Sequence, residues 1–432
     1  MKSLIALAMV GISLFGQQQS DAATATPTAT PCAGLKPGPK GAYEDMNGKL
    51  NVPLPNQTAL GRPTIDGIRL KARWRDIETS PGTYVWTNLD NAIAQVTSKG
   101  KKCGIEIGSG HECPAWLYSG PEIPTHAVPY VLQDGPNAGD TIPVPGDPVY
   151  ISKWGSFIAA FGARYNSNQT VSFICMTGPG NHDEWNQAQG PTDTAALGNT
   201  QAKVDTWTNE TKTFIDDFCA AFPNTVIIAA LAKPFQNSMG FPAMIAASDY
   251  AVANHTPQFG LSFNGLTTLS NARYEPAHQI FLHWTTNPTW AQMVQRGDRA
   301  NGVPVSEGLD QSLRSAVNLK IRGVEIYKAD TDNNAQYNYT APAGSTWQGL
   351  DVSGTAAGIN PRRSQMLALT DVTCPSPTST PTALPSATAT ATPSATPTST
   401  PTATPTATAT TTPSRPASPE TKAQSSEAIL IR

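Results

Sequence analysis

The stretch Val171 to Asn186, VSFICMTGPGNHDEWN, is a short apolar run that breaks into Gly, Pro and Gly and then presents His182, Asp183 and Glu184 together. A carboxylate delivered on a glycine-rich turn just past a strand is placed to exchange protons with whatever binds there. A second carboxylate, Glu325 in GVEIY, alternates with Val324 and Ile326. If those two face covering helices, Glu325 points the other way, as does Tyr327. Two carboxyl groups, one protonated to expel a leaving oxygen and one ionised to attack or to activate water, are what cleavage of a glycosidic bond requires. Each has a plainer use. Glu184 could cap the next helix or pair with a nearby base, and Glu325 could be half of an interior ion pair with Lys71 or Arg73. Glu106 in KCGIEI shares the inward parity and reads as a partner for the row Arg69, Lys71, Arg73. Glu78 reads as the anchor of the turn before Pro81.

Aromatic faces and polar side chains near strand ends are what a sugar-binding cleft uses. Trp74, His111, Trp116, Asn264, His283, Trp284 and Tyr327 sit at such positions and form the candidate substrate-binding set. Taken singly, each is better explained by core packing or a structural hydrogen bond, and it is the group as a whole that points to a cleft. ADTDNN, 329 to 334, lacks the central Gly and distal Glu of a calcium loop. No His and Cys spacing points to zinc, so neither metal nor organic cofactor is expected.

These residues need elements to hold them. From Gly67 the chain repeats a short apolar run, a loop, and a stretch with helical spacing. In GIRLKARW, Ile68, Leu70 and Ala72 alternate with Arg69, Lys71 and Arg73. Leu89, Ile93 and Val96 follow at helical spacing, after a capping pattern at Thr87 to Asp90 and before Gly100. Further strands are expected at 102–107, 170–176, 225–231, 258–263, 279–284 (QIFLHW) and 323–327, with a faint one near 40–43. Eight strands alternating with helices predict an α/β fold, a (β/α)8 TIM barrel, with a doubly wound sheet as the alternative. No GxGxxG supports a dinucleotide fold.

The chain of 432 residues opens with Lys2, an apolar core from Leu4 to Phe15 and small residues near Ala22 to Ala25. That pattern reads as a signal peptide over residues 1–25, and no other stretch is apolar enough to span a membrane. A short Thr/Pro linker (26–31) precedes a domain over 32–374, and residues 375–432 form a Thr/Pro/Ala-rich tail expected to be disordered. A net charge of -3 without a basic stripe argues against nucleic acid. Six cysteines in an exported chain suggest disulfides, and the expected pairs are Cys32 with Cys374, Cys103 with Cys113, and Cys175 with Cys219. Oligomeric state is unknown from sequence.

The stretch DGIRLKARWRDIETSPGTYVWTNLDNAIAQVTSKGKKCGIEIGSGHECPAWLYSG, with VPGDPVYISKWGSFIAAFGARY, MTGPGNHDEWN, FGLSFNGL and VEIYKAD after it, resembles β-galactosidase-like glycoside hydrolases of the retaining (β/α)8 barrel clan. The likeness runs over most of residues 65 to 330. It implies a retaining enzyme that cleaves a polysaccharide or oligosaccharide. Glu184 matches the clan's general acid/base after strand four. The clan's nucleophile closes strand seven, where QIFLHWTT offers no carboxylate, so Glu325, or Glu307 in VPVSEGL, is left as the second group. The departure motivates an alternative, a non-catalytic carbohydrate-binding or cell-surface barrel. A Ser, His and Asp hydrolase is weaker, since no GxSxG elbow appears.

Overall fold

The computed structural model describes residues 34–372 except 47, 51–53, 55–57, 182, 268–269, 271, 294–304 and 328–358. Eight parallel strands close into a barrel: β1 (Gly41–Asp45), β2 (Gly67–Arg73), β3 (Lys102–Gly108), β4 (Val171–Met176), β5 (Val226–Ala230), β6 (Phe259–Leu266), β7 (Thr289–Met293) and β8 (Gly323–Tyr327). The ring closes where Gly41 pairs with Gly323 and Tyr43 with Gly67. A doubly wound sheet is thereby excluded.

The alternation in β2 does what its pattern dictates. Ile68, Leu70 and Ala72 join the core between strands and helices, while Arg69 and Lys71 are buried on the inner side. Val324 and Ile326 likewise face the helices and leave Glu325 inside. The helix Thr87–Ser98 buries Leu89, Ile93 and Val96, although its N-cap is Trp86 and no side chain caps it. The helix Pro148–Tyr165 is properly started, with the Asp147 carboxylate accepting from the backbone N–H of Val149 and Tyr150.

One expected strand is not a strand. QIFLHW falls in the helix Glu275–His283, which has Pro276 in its first turn and buries Ala277 and Ile280 on one face. The seventh strand is instead TWAQM, whose pairing runs Leu261 with Thr289 on one side and Gln292 with Glu325 on the other.

The barrel interior is layered. Its lower part is an aromatic plug of Tyr43, Phe173 and Trp290, with ring centroids 4.7–5.7 Å apart. Glycines on neighbouring strands make the room: a Cβ on Gly104 would lie 2.1 Å from the Phe173 ring, and one on Gly323 would lie 2.3 Å from Trp290. Above the plug, toward the carboxyl ends of the strands, the interior turns polar and charged.

The cysteine expectations fail where they can be read. Cys103, Cys113, Cys175 and Cys219 are all buried free thiols. Cys103 starts β3 and Cys113 lies beyond its far end, a separation of about 20 Å at the rise of a strand. Cys175 lies in the interior cluster with Tyr43 and Trp290, while Cys219 belongs to the outer core on the helix Gln201–Ala221, so the barrel wall separates them. Cys32 and Cys374 lie outside the described residues, as does 329–334.

Candidate active site

The loop after β4 shows why a strand ends in Gly-Pro-Gly before a carboxylate. Thr177 Oγ1 donates to the Ile107 carbonyl at 2.5 Å, fixing the exit from β4 against β3. The chain then turns so tightly that a Cβ on Gly180 would sit 2.2 Å from the Glu184 carbonyl oxygen. The Asn181 N–H closes the turn onto the Asn186 carbonyl at 2.8 Å, and the Trp185 N–H bonds the Ala230 carbonyl at 3.1 Å at the end of β5. Trp185 is fully buried against Trp207. With its successor locked in the core, Glu184 is held half-buried at the carboxyl-terminal rim, the end at which barrel sites are built.

The loop after β3 supports this turn from the side. Gly110 has φ +61°, and a Cβ there would meet the Gly180 carbonyl at 2.4 Å, so only glycine allows the two loops to touch. His111 then joins the Asn181 carbonyl through both its backbone N–H and Nδ1.

Beneath the rim lies a charged layer. Arg69 is its hub: Nε is 2.7 Å from Glu325, Nη1 3.2 Å from Glu106, and Nη2 3.6 Å from Asp183. Nη2 also donates to Gln292 Oε1 at 3.0 Å. Lys71 lies 2.9 Å from Asp45 and 3.5 Å from Glu325. Lys49, carried over the mouth by the β1–β2 connection, bridges Glu106 at 3.1 Å and Glu112 at 3.2 Å. The Leu50 N–H bonds the Lys71 carbonyl at 2.7 Å and holds that connection down.

Burial raises the Glu106 carboxyl, but Arg69 and Lys49 more than reverse this and leave it below its ordinary value. Glu325 behaves differently. Burial lifts it to about 8 against the opposing charges of Arg69 and Lys71. Its geometry agrees: two cations stand near, yet neither carboxyl oxygen has an aligned hydrogen bond. Glu325 has no exposed surface, whereas the Asp183 side chain keeps 12%.

The expected residues thus separate. Glu184, His111, Asn264 and Tyr327 are half-exposed at or beside the rim, and Glu325 lies one layer below. Trp74 and Trp116 follow β2 and β3 but are not sugar platforms. Both are buried in an aromatic cluster with Trp154 and Phe157, and both spend their indole N–H on Glu78. Glu78 also accepts from the Gly82 N–H at 2.7 Å, the turn-anchoring use expected of it. His283 and Trp284 are at the wrong end. The Trp284 carbonyl accepts from Arg322, the residue that leads into the amino end of β8, and the Lys320 and Arg322 cations lie within 6 Å of its ring. Glu307 falls in the helix Val305–Asn318. Lys49, Glu112 and Gln292 complete the charged layer without having been singled out from sequence, and Asp183, noted there only beside Glu184, joins it through Arg69. The inward parity of β7 could have flagged Gln292 had that strand been located.

No family model matches the chain, and no curated protein matches it. Among solved structures it is similar to the catalytic domain of a β-amylase from Paenibacillus polymyxa, with a TM-score of 0.46 and 10% identity over 67% of this chain and 92% of that one. It is also similar to GH10 from Paenibacillus barcinonensis, with a TM-score of 0.40 and 11% identity over 74% and 89%. An endoglucanase from Pseudomonas stutzeri gives a TM-score of 0.40 and 9% identity over 67% and 87%. Scores and identities this low carry no argument about chemistry. No described helix is long and apolar enough to cross a membrane.

Proposed function

We propose that the protein is a glycoside hydrolase working on an oligosaccharide or polysaccharide at the carboxyl-terminal rim of its barrel, with Glu184 as general acid. The observation that supports this most is the over-determined turn that holds Glu184 half-exposed above a buried layer of carboxylates and cations. A proton donor must be fixed in place and still reachable, and Glu184 is both. The second carboxylate has two candidates. Glu325 has no exposed surface and lies 2.7 Å from Arg69 Nε, which suits an interior structural role better than attack on a sugar. Asp183 touches the same Arg69 and keeps access to the rim, so it is the better partner in this reading. The leader and the Thr/Pro tail fit an exported protein whose barrel is carried on a spacer.

One observation favours a second reading, a barrel that binds sugar without cutting it. The inward residue of β7 at the level of the charged layer is the amide Gln292, already engaged by Arg69, where another carboxylate would complete a pair.

The test is reducing-sugar release by the purified protein across polysaccharides and aryl glycosides, with Glu184→Gln, Asp183→Asn and Glu325→Gln in parallel. Hydrolysis lost in the first two and kept in the third supports the assignment. Hydrolysis lost in Glu325→Gln but kept in Asp183→Asn transfers the second role to Glu325. Saturable binding with no release by wild type supports the second reading.

A further inference from the structure

The barrel end opposite Glu184 is open. A cavity of about 470 Å³ lies there, walled by the segment entering β1, the turn before β3 and the start of β4. Its wall carries Lys36, Lys40, Lys101 and Lys102 together with Asp66 and Asp371. Both carboxylates are already committed. Asp66 is forked by Arg363, at 2.7 Å from Nε and 2.5 Å from Nη2, and also accepts from the Ala42 N–H at 2.9 Å. Asp371 lies 2.5 Å from Lys40 Nζ, and that ammonium also donates to the Leu369 carbonyl at 2.9 Å.

Lys36, Lys101 and Lys102 are left, and among the described residues none of them has a carboxylate at ion-pair distance. Their hydrogen-bond partners are neutral backbone carbonyls. Lys36 donates to Asn168 at 2.8 Å and Val171 at 3.1 Å, Lys101 to Arg62 at 2.8 Å and Ile65 at 2.5 Å, and Lys102 to Gln169 at 2.8 Å. An ammonium has three N–H groups, so Lys102 keeps two to give and the other two lysines one each. At the floor, the Tyr43 hydroxyl stands 3.4 Å from Ser172 Oγ, which itself donates to the Cys103 carbonyl at 3.2 Å, so the lysines are the donors left for a ligand. Burial drags the Lys36 ammonium down to about 8, with nearby Lys102 pulling the same way, so the positive charge there is under-compensated.

We propose that this amino-terminal cavity is a binding site for a small phosphate-type oxyanion, either inorganic phosphate or the head of a small phosphomonoester, held by Lys36, Lys101 and Lys102. A tetrahedral dianion accepts several charge-assisted hydrogen bonds at once, which suits three ammonium groups with donors to spare. The volume exceeds what phosphate alone fills, leaving room for a short organic portion. The site shares no residue with the Glu184 rim and does not depend on the activity proposed there.

The test is isothermal titration of the purified protein with sodium phosphate, sodium sulfate and glycerol 3-phosphate, against sodium chloride at matched ionic strength. Saturable one-to-one binding of phosphate is expected, weakened about tenfold or more in Lys102→Ala, as losing a charge-assisted hydrogen bond implies. Lys102 is exposed, so that variant keeps its fold, and circular dichroism checks it. Glu184→Gln binds phosphate as wild type does. Glycerol 3-phosphate binding more tightly than phosphate identifies a monoester as the ligand, and the reverse order identifies the free ion. Absence of saturable binding beyond the chloride control, or unchanged affinity in Lys102→Ala, overturns the proposal.

Discussion

Replacing Arg69 with methionine tests the charged layer, because it removes the hub while keeping a long unbranched side chain. Wild-type Arg69 contacts Glu325 at 2.7 Å, Glu106 at 3.2 Å, Asp183 at 3.6 Å and Gln292 at 3.0 Å. Removing one partner of a buried ion pair costs about 3–5 kcal/mol, since the remaining charge is left without compensation. Here Glu106 keeps Lys49 at 3.1 Å and Glu325 keeps Lys71 at 3.5 Å, which places the expected loss at the low end, about 3 kcal/mol at pH 8. The loss depends on pH, and its sign follows from Glu325. Its folded value, about 8, lies above the ordinary 4.5, and losing Arg69 raises it further. Stability from such a group is fully present below the unfolded value and lost as pH rises through the folded one. Glu106, held low in the folded state, is ionised above about pH 6 and contributes a part of the deficit that does not change with pH there. The deficit therefore stays near that size down to about pH 6 and grows as pH rises above about 8, where Glu325 ionises in wild type and stays protonated in the variant. Urea unfolding followed by tryptophan fluorescence measures it, and Arg69→Met combined with Glu325→Gln recovers part of it. A deficit below about 1 kcal/mol at pH 8, or one independent of pH, refutes the reasoning.

Glu210 offers a cleaner titration. It is buried, one oxygen accepts from the Gly146 N–H at 2.7 Å, the other has no partner, and burial raises it to about 8. Wild type should lose stability relative to Glu210→Gln by about 4 kcal/mol between pH 5 and pH 9, read from urea midpoints. Gly110→Ala forces a Cβ into the Gly180 carbonyl at a positive φ. It should cost about 2 kcal/mol in urea unfolding and reduce sugar release more than Ala replacements elsewhere of equal stability cost. His283→Ala and Trp284→Ala lie at the far end of the barrel, and sugar binding and hydrolysis should stay within about twofold of wild type, the scale expected of sites that share no partners.

Much of this was legible because alternation in a strand is a direct readout of sidedness. The row Arg69, Lys71, Arg73 against Ile68, Leu70, Ala72 announced a charged interior, and GVEIY placed Glu325 within it. The seventh strand was not legible. TWAQM is short, has no β-branched run, and turns Trp290 and Gln292 inward, while the more apolar QIFLHW beside it is the buried stripe of a helix that begins at a proline. Lys49 and Glu112 sit on connections without periodicity, and only the closure of the barrel brings them to Glu106. Trp74 and Trp116 look like cleft aromatics by position. Glu78, four residues after Trp74, was the available sign that the indole was already engaged. The cysteines misled because an even count in an exported chain says nothing of which side of a barrel wall each thiol occupies.

The chemistry proposed at the rim turns on Glu184 as the proton donor. Its most direct test is hydrolysis of a series of aryl glycosides, from phenyl to dinitrophenyl leaving groups, by wild type and Glu184→Gln. A general acid contributes about 100- to 10,000-fold when the leaving group needs a proton. Glu184→Gln should lose that much on the phenyl glycoside and little on the dinitrophenyl one. An equal loss across the series, or none, contradicts it.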